Sequence, residues 1–304
     1  MDAIDKKLNK AKLEQGFYNI IDGKRVLVEK TLSVVNPATG LQLATVPDVD
    51  HTLLDQAVSA AQRAFSGWHA LPISQRKVLL TGLLNRMNDH TEELSVLLTA
   101  EQGGPLAIAR FYFDLLTKAM GPALMQMALP EIEQEVPHIG NITKRFTPIG
   151  VVGAISPWNL PVLISFCKTL PALVAGNTVV RKPSPFAPLA VLRISDYINE
   201  LLPPGVFNVV TGGDDLGPWM TSHPGIDLIS FTGSTLTGKR VLASAAATVK
   251  RTTLELGGND PGIILDDAEP EKIRRLSSTA CFYSVDRAAF ALSASTFMRI
   301  SIPK

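Results

Sequence analysis

The chain has 304 residues, 46% of them hydrophobic, with 29 Lys+Arg against 28 Asp+Glu and a formal net charge of +1 at pH 7. That length and apolar content support a large core in one or two domains, and the charge balance gives no electrostatic reason for a nucleic-acid or acidic-membrane partner. Two cysteines, Cys167 and Cys281, make no disulfide framework, and the aromatic, Gly and Pro contents exclude collagenous and disordered classes.

The opening MDAIDKKLNKAKLEQG is charged throughout and has no apolar centre of the kind a secretory signal needs. The most apolar stretch, 149–167, is interrupted by Ser156-Pro157-Trp158-Asn159 and by Pro161, whereas a spanning helix takes about 20 mostly apolar residues without such breaks. A soluble cytoplasmic protein without membrane or nucleic-acid partners is expected, and the sequon at Asn141-Ile142-Thr143 is then an accident of composition.

Residues 17–48 read as short strands and turns, with Asp22-Gly23 as a hairpin turn and Asn36-Pro37-Ala38-Thr39-Gly40 as a loop. From Thr52 the period becomes helical: Leu54, Ala57, Val58, Ala61, Ala64, Phe65 and Trp68 form one apolar stripe. Further helices run to about Leu129, and 130–146 return to strand-like alternation about Gly140, suggesting a hairpin arm. Between Pro148 and Glu255 strand and helix then alternate, with strands expected at 150–155, 177–182, 206–210, 227–231 and 251–256. The helix between the second and third of these carries Val191, Ile194, Ile198 and Leu201 on one face and stops at Pro203-Pro204-Gly205. Apolar β-branched strands alternating with helices predict an α/β fold, a Rossmann-like doubly wound parallel sheet covered on both faces. Ligands bind such sheets at the carboxyl ends of the strands, so the loops there are where chemistry is sought.

Four strand-end loops are polar or Gly-rich: Ser156-Pro157-Trp158-Asn159-Leu160-Pro161, Lys182-Pro183-Ser184, Phe231-Thr232-Gly233-Ser234-Thr235 and Leu254-Glu255-Leu256-Gly257-Gly258. In this order and spacing they resemble the PWN, KPS, FTGS and LELGG signatures of the aldehyde dehydrogenase superfamily. The resemblance extends over roughly 17–283, including NPATG near the start and PPGVFNVVTG at 203–212. It implies a cofactor-binding domain made of 1–129 and 148–257, an oligomerisation arm at 130–147, and the start of a catalytic domain at 258–283, most of that domain being missing. It also implies NAD or NADP as cofactor, an aldehyde as substrate, no metal, and homo-oligomers among complete members.

The residues divide by role. Asn159 by itself reads as a helix cap or loop-satisfying amide. The resemblance makes it the donor to the oxyanion formed when a thiolate attacks an aldehyde, a contact whose loss typically costs about 10²–10³ in rate. Glu255 by itself is a solvated charge, and by resemblance the base that activates the water hydrolysing a thioester. The resemblance assigns cofactor binding to Ile155, Ser156, Pro157, Trp158, Lys182, Ser184, Gly212, Gly233, Ser234, Gly238, Glu255, Leu256 and Gly257. Lys182 would bond the adenosine ribose. Many NAD-preferring members carry a glutamate three residues after this lysine, where Pro185 stands here, so NAD versus NADP stays open. Gly233-Ser234-Thr235-Leu236-Thr237-Gly238-Lys239 fits a phosphate loop up to the lysine, but Arg240 follows where Ser or Thr would bind magnesium, which favours a dinucleotide over a nucleoside triphosphate.

The family's chemistry needs a cysteine nucleophile beyond this glutamate, in a GQxC motif. After Phe282-Tyr283 the chain instead reads SVDRAAFALSASTFMRISIPK; Cys281 stands too early, and Cys167 reads as a buried structural thiol in an apolar helix. The codons from Ser284 onward, read one base out of frame, admit Cys-Gly-Gln-Gly-Cys and then Ile-Cys-Ala-Lys-Arg-Leu-Tyr-Ile-His-Glu-Asp-Ile-Tyr, which is the missing pattern. A one-base frameshift near Ser284 is therefore expected, placing the cysteine codon across those of Ala288 and Ala289 and leaving 284–304 a non-native tail. An inactive family member is the leading expectation, a non-catalytic dinucleotide-binding or subunit-interacting protein the alternative. A hydride-transfer dehydrogenase of another family lacks its Tyr-x-x-x-Lys or metal ligands here.

Overall fold

Asp22 and Gly23 both take positive φ, 52° and 76°, the backbone of a tight hairpin turn, so β1 (Asn19–Ile21) folds straight back into β2 (Lys24–Val26). In this computed structural model the described residues are 13–258, the strand backbones at 262–264 and 297–299, and residue 269. A second hairpin, β3 (Thr31–Val35) and β4 (Gln42–Pro47), closes over the expected 36–40 loop, where Asn36 Oδ1 accepts from the amide of Ala38.

Asp50 caps α1 (His51–Ala70) by accepting from the Leu53 amide at 2.9 Å. The predicted stripe faces inward through Leu54, Ala57, Val58, Ala61 and Trp68, with Ala64 and Phe65 half-buried. Then follow α2 (Ile73–Asp89), α3 (Thr91–Gln102), α4 (Leu106–Asp114), a π-helical stretch at Leu115–Met120 and α5 (Gly121–Met125). The arm is a hairpin of β5 (Ile132–Val136) and β6 (Gly140–Lys144), exposed almost throughout.

The alternating segment comprises β7 (Val151–Ile155), α6 (Pro161–Ala175), β8 (Thr178–Lys182), α7 (Leu189–Leu201), β9 (Phe207–Val209), α8 (Leu216–Ser222), β10 (Leu228–Gly233), α9 (Thr235–Ala246) and β11 (Arg251–Leu256). After α7 the Pro-Pro-Gly stop needs its glycine: Gly205 has φ +78°, and a Cβ there would lie 2.6 Å from the Ala60 carbonyl oxygen. The sheet order is β11-β10-β7-β8-β9-β1-β2, its first five strands parallel. The chain steps outward from β7 to β9, then returns to β10 on the other side of β7, which puts the topological switch between β7 and β10.

Alternation along each strand feeds two cores. Val152, Ala154, Val179, Phe207 and Val209 pack beneath α6 and α7, while Val151, Val180, Ile229 and Phe231 meet α1, α8 and Val241 of α9. Each of the buried valine, isoleucine and phenylalanine side chains among them contributes about 1.5–3 kcal/mol. The doubly wound sheet is as expected, with one addition. The N-terminal hairpin joins its edge antiparallel to β9, held by Asn19, whose Oδ1 accepts from the amide and hydroxyl of Thr211.

One expectation fails. Cys167 is exposed: it lies on the outer side of α6, facing a groove lined by Leu116, Met120 and Leu124. Its apolar neighbours in sequence concealed that position. In the expected tail, β13 (Phe297–Arg299) pairs in parallel with β12 (Gly262–Ile264); Cys281 and the out-of-frame motif lie outside the described residues. No helix among the described residues is long and apolar enough to cross a membrane.

Candidate functional site

At the β7/β10 switch the sheet opens into a cleft of about 570 Å³. Ile155, Ser156, Pro157 and Trp158 enter it from the end of β7, Lys182, Ser184 and Pro185 from β8, and Gly213 and Asp214 from the loop after β9. Helices α8 and α9 form the outer walls through Pro218, Thr221, Thr237, Arg240 and Val241, and the floor is Phe231, Thr232, Gly233 and Ser234. A concave, mainly apolar surface with a few convergent polar groups is the form a small-molecule site takes.

Lys182 is buried, and burial pushes its ammonium down to about 8 despite the nearby carboxylates of Asp214 and Asp48. Asp48 is engaged elsewhere, accepting from the amide of Gly213 at 3.1 Å and pairing with Lys30 at 2.8 Å. Thr232 also lines the cleft, but its Oγ1 shares the face of β10 that carries Ser230, and it is fully buried without a hydrogen-bond partner among the described residues. A buried cation with no direct acceptor among the described residues is what a polyhydroxylated, anionic ligand would satisfy. Ser234 is the N-cap of α9, its side chain accepting from the Thr237 amide at 3.2 Å, so the positive end of a twelve-residue helix faces the cleft. Ser234→Ala is expected to lower stability by about 1 kcal/mol and Ser234→Gly by only a few tenths. Urea unfolding of both variants checks this, and equal losses would refute the cap.

A second polar group lies on the α6 side of the sheet. Ser230, Ala154 and Arg181 stand side by side on β10, β7 and β8, and Thr232 is the register partner of Glu255 on β11. Lys168, buried on α6, donates to Ser230 Oγ at 3.2 Å. Burial lowers its ammonium to about 8; the Glu255 carboxylate opposes that shift and the Arg181 guanidinium assists it. Arg181 is itself buried, its Nη2 donating to the Ser165 carbonyl and Thr169 Oγ1, while its Nε and Nη1 find no hydrogen-bond acceptor among the described residues. Glu255 is exposed at the end of β11. An amine titrating near neutrality beside an exposed carboxylate is a pair suited to proton exchange.

Asn159 opens the turn into α6. Its Oδ1 accepts from the Leu160 amide at 3.0 Å, and its backbone carbonyl is held by Gln102 Nε2. The Nδ2 group has no protein acceptor among the described residues and is available as a donor. The capping and donating roles are thus filled by different atoms of one side chain.

Eight of the residues expected at the cofactor line the cleft: Ile155, Ser156, Pro157, Trp158, Lys182, Ser184, Gly233 and Ser234. Gly212 does not. A Cβ there would meet Leu216 at 2.8 Å, so it packs the corner while Gly213 faces the cleft. Gly238 lets α9 approach β11, where a Cβ would meet the Leu256 side chain at 2.5 Å. Gly257 extends the sheet, its amide donating to the Gly233 carbonyl at 3.1 Å. Sequence reasoning did not single out Lys168 or Asp214, and it met Thr232 and Arg240 only as parts of the 231–235 loop and of the incomplete phosphate-loop pattern. For Lys168 the available signal was a lone lysine between Cys167 and Thr169. No cluster of three metal-binding side chains occurs among the described residues.

A parallel sheet wound on both sides, with a ligand cleft at its switch point and a helix N-terminus aimed into it, defines a nucleotide-binding α/β architecture. The family model for the aldehyde dehydrogenase family matches residues 26–293, and the chain belongs to that family. A Gibberella fujikuroi relative bearing the name aldehyde dehydrogenase FUS7 is 39% identical over 259 residues, which is 84% of this chain and 55% of that protein. Among solved structures, an NADP-dependent enzyme of E. coli matches at 32% identity with a TM-score of 0.84, over 91% of this chain and 59% of its own. The C291A mutant of aldehyde dehydrogenase C from Pseudomonas syringae, crystallised with NAD+ and octanal, matches at 34% and 0.85, over 92% and 58%. The chain thus spans a little over half the length of these relatives.

Proposed function

We propose that this chain is the dinucleotide-binding part of an NAD(P)-dependent aldehyde dehydrogenase. The observation that carries the reading is the cleft at the β7/β10 switch, where buried Lys182 lines the same space as the N-terminus of α9. Lys182 and Ser184 would hold the adenosine ribose, and the amides opening α9 the pyrophosphate. The bound nicotinamide supplies a hydride acceptor for aldehyde oxidation. On the α6 side, the Asn159 amide would donate to the aldehyde oxygen as negative charge develops there. Glu255 would take a proton from the hydrolytic water, and Lys168 would exchange protons with Glu255. The octanal bound by the Pseudomonas syringae relative supports an aldehyde as the substrate class.

The nucleophile is the missing element. Cys167 is exposed on the outer side of α6, but the apolar groove it faces partly desolvates its thiol and raises its pKa, which makes it a poor thiolate. The chain on its own is therefore expected to bind nucleotide without turning over aldehyde, as the one-base frameshift near Ser284 would leave it. Incubating the purified chain with an aldehyde panel and NAD+ or NADP+ should give no reduced nicotinamide. Turnover that a thiol-alkylating reagent abolishes would show that one of its own cysteines serves. Sequencing the gene through codon 284 tests the frameshift directly. For a complete relative in the cytoplasm, the β5–β6 arm, with Ile132, Ile139 and Ile142 exposed, is the proposed contact between subunits.

A further inference from the structure

The charged residues lining the cleft are Lys182, Asp214 and Arg240. Two of them offset each other, because the Asp214 carboxylate acts on the Lys182 ammonium. Asp48, the other carboxylate acting on Lys182, is paired with Lys30. Arg240, one turn into α9, is exposed, and neither a hydrogen bond nor an ion pair engages it among the described residues. One full positive charge is thus left over in the cleft. Across from it the β8 loop offers no carboxylate: Pro185 has no polar side chain, and Ser184 Oγ already accepts from the Phe186 amide at 3.3 Å.

The two dinucleotide cofactors differ by one phosphate on the adenosine 2′ oxygen. A site for the unphosphorylated form places a carboxylate to accept from the free 2′-hydroxyl, and a site for the phosphorylated form places an arginine instead. The guanidinium is the better phosphate partner because its planar fork donates two parallel hydrogen bonds. We propose that Arg240 makes this cleft select the 2′-phosphorylated adenosine, so that NADP(H) is the preferred cofactor. The inference rests on the dinucleotide reading above and adds a specificity-determining residue to it.

The adenosine fragments 2′,5′-ADP and 5′-AMP carry the distinction without the nicotinamide half, so they can be titrated calorimetrically into the full chain. The wild type is expected to bind 2′,5′-ADP about tenfold more tightly than 5′-AMP, the worth of a modest charge-assisted hydrogen bond. That preference should shrink as salt rises, since Arg240 is exposed. Arg240→Ala should abolish the preference by weakening 2′,5′-ADP about tenfold and 5′-AMP much less, with the unfolding midpoint unchanged. Pro185→Glu should reverse it by supplying the absent carboxylate. Equal affinities in the wild type would overturn the proposal. So would an Arg240→Ala variant that loses both ligands equally, because the guanidinium would then contact the base and not the phosphate. Failure of either fragment to bind the wild type would instead overturn the dinucleotide reading itself.

Discussion

Lys182→Ala is expected to weaken 5′-AMP binding by about ten- to a hundredfold, the range for losing a charge-assisted hydrogen bond. The size follows from burial: this ammonium has already lost most of its water, so a ligand oxygen replaces solvation that the fold has removed. The same burial sets a pH dependence. With the ammonium at about 8, against 10.5 for an ordinary lysine, affinity should be greatest below pH 8 and fall as pH rises through that value. Stability should run the other way. Between about 8 and 10.5 the unfolded chain holds this proton and the folded chain does not, so stability rises with pH across that window. Calorimetric titrations at several pH values, paired with urea unfolding at the same values, separate the two trends. Binding that is flat from pH 7 to 9.5 would mean that Lys182 does not contact the ligand. Lys182→Ala should also remove its share of the stability trend.

The parts of the fold and site that were legible in the sequence are those whose signals are local. The loops after β7, β8 and β10 each follow a β-branched run and precede a helix, and the Glu255 loop ends such a run in two glycines, so Ser156, Lys182, Gly233 and Glu255 could be placed at the carboxyl edge from sequence. The Asp22-Gly23 turn and the Pro-Pro-Gly stop were equally local. What escaped depends on partners far along the chain. The three-residue strand β1 joins the sheet because Asn19 bonds Thr211, 192 positions away. Lys168 becomes a proton-exchanging candidate only when β10 brings Ser230 under it, 62 positions on, and β11 brings Glu255 near. Cys167 misled for the opposite reason: α6 is apolar on nearly all sides, so periodicity could not say which side faces out. Arg240 fell within a failed phosphate-loop pattern, where its importance lay in having no counter-charge, and pairing is invisible in a linear sequence.

Glu101→Ala is expected to cost the fold about 2–4 kcal/mol, more than an average core substitution, because the two oxygens of its carboxyl group serve two donors at once. It is 2% exposed at the end of α3, and its oxygens accept from the amides of Leu189 and Ala190 at 2.5 and 2.9 Å. Those are the first two amides of α7, whose N-cap position is occupied by Pro188, a residue with no capping side chain. A distant glutamate therefore does what a cap would do, and it ties α3 to the helix that covers β8. Burial pushes its carboxyl up to about 8, and the two amides, which favour the ionised form, reduce that shift without reversing it. Because the folded value exceeds the ordinary 4.5, the folded chain holds a proton that the unfolded chain has released across that window. Stability from this group is full below about 4.5 and declines as pH rises toward 8. Glu101→Gln keeps one acceptor and the side-chain shape but cannot titrate, so it should lose less stability than alanine and flatten the decline. Urea midpoints for wild type and both variants from pH 5 to 9 decide the point. A wild-type curve that rises across that range, with Gln as damaging as Ala, would show that the carboxylate is ionised when folded and that the helix dipole of α7 outweighs its burial.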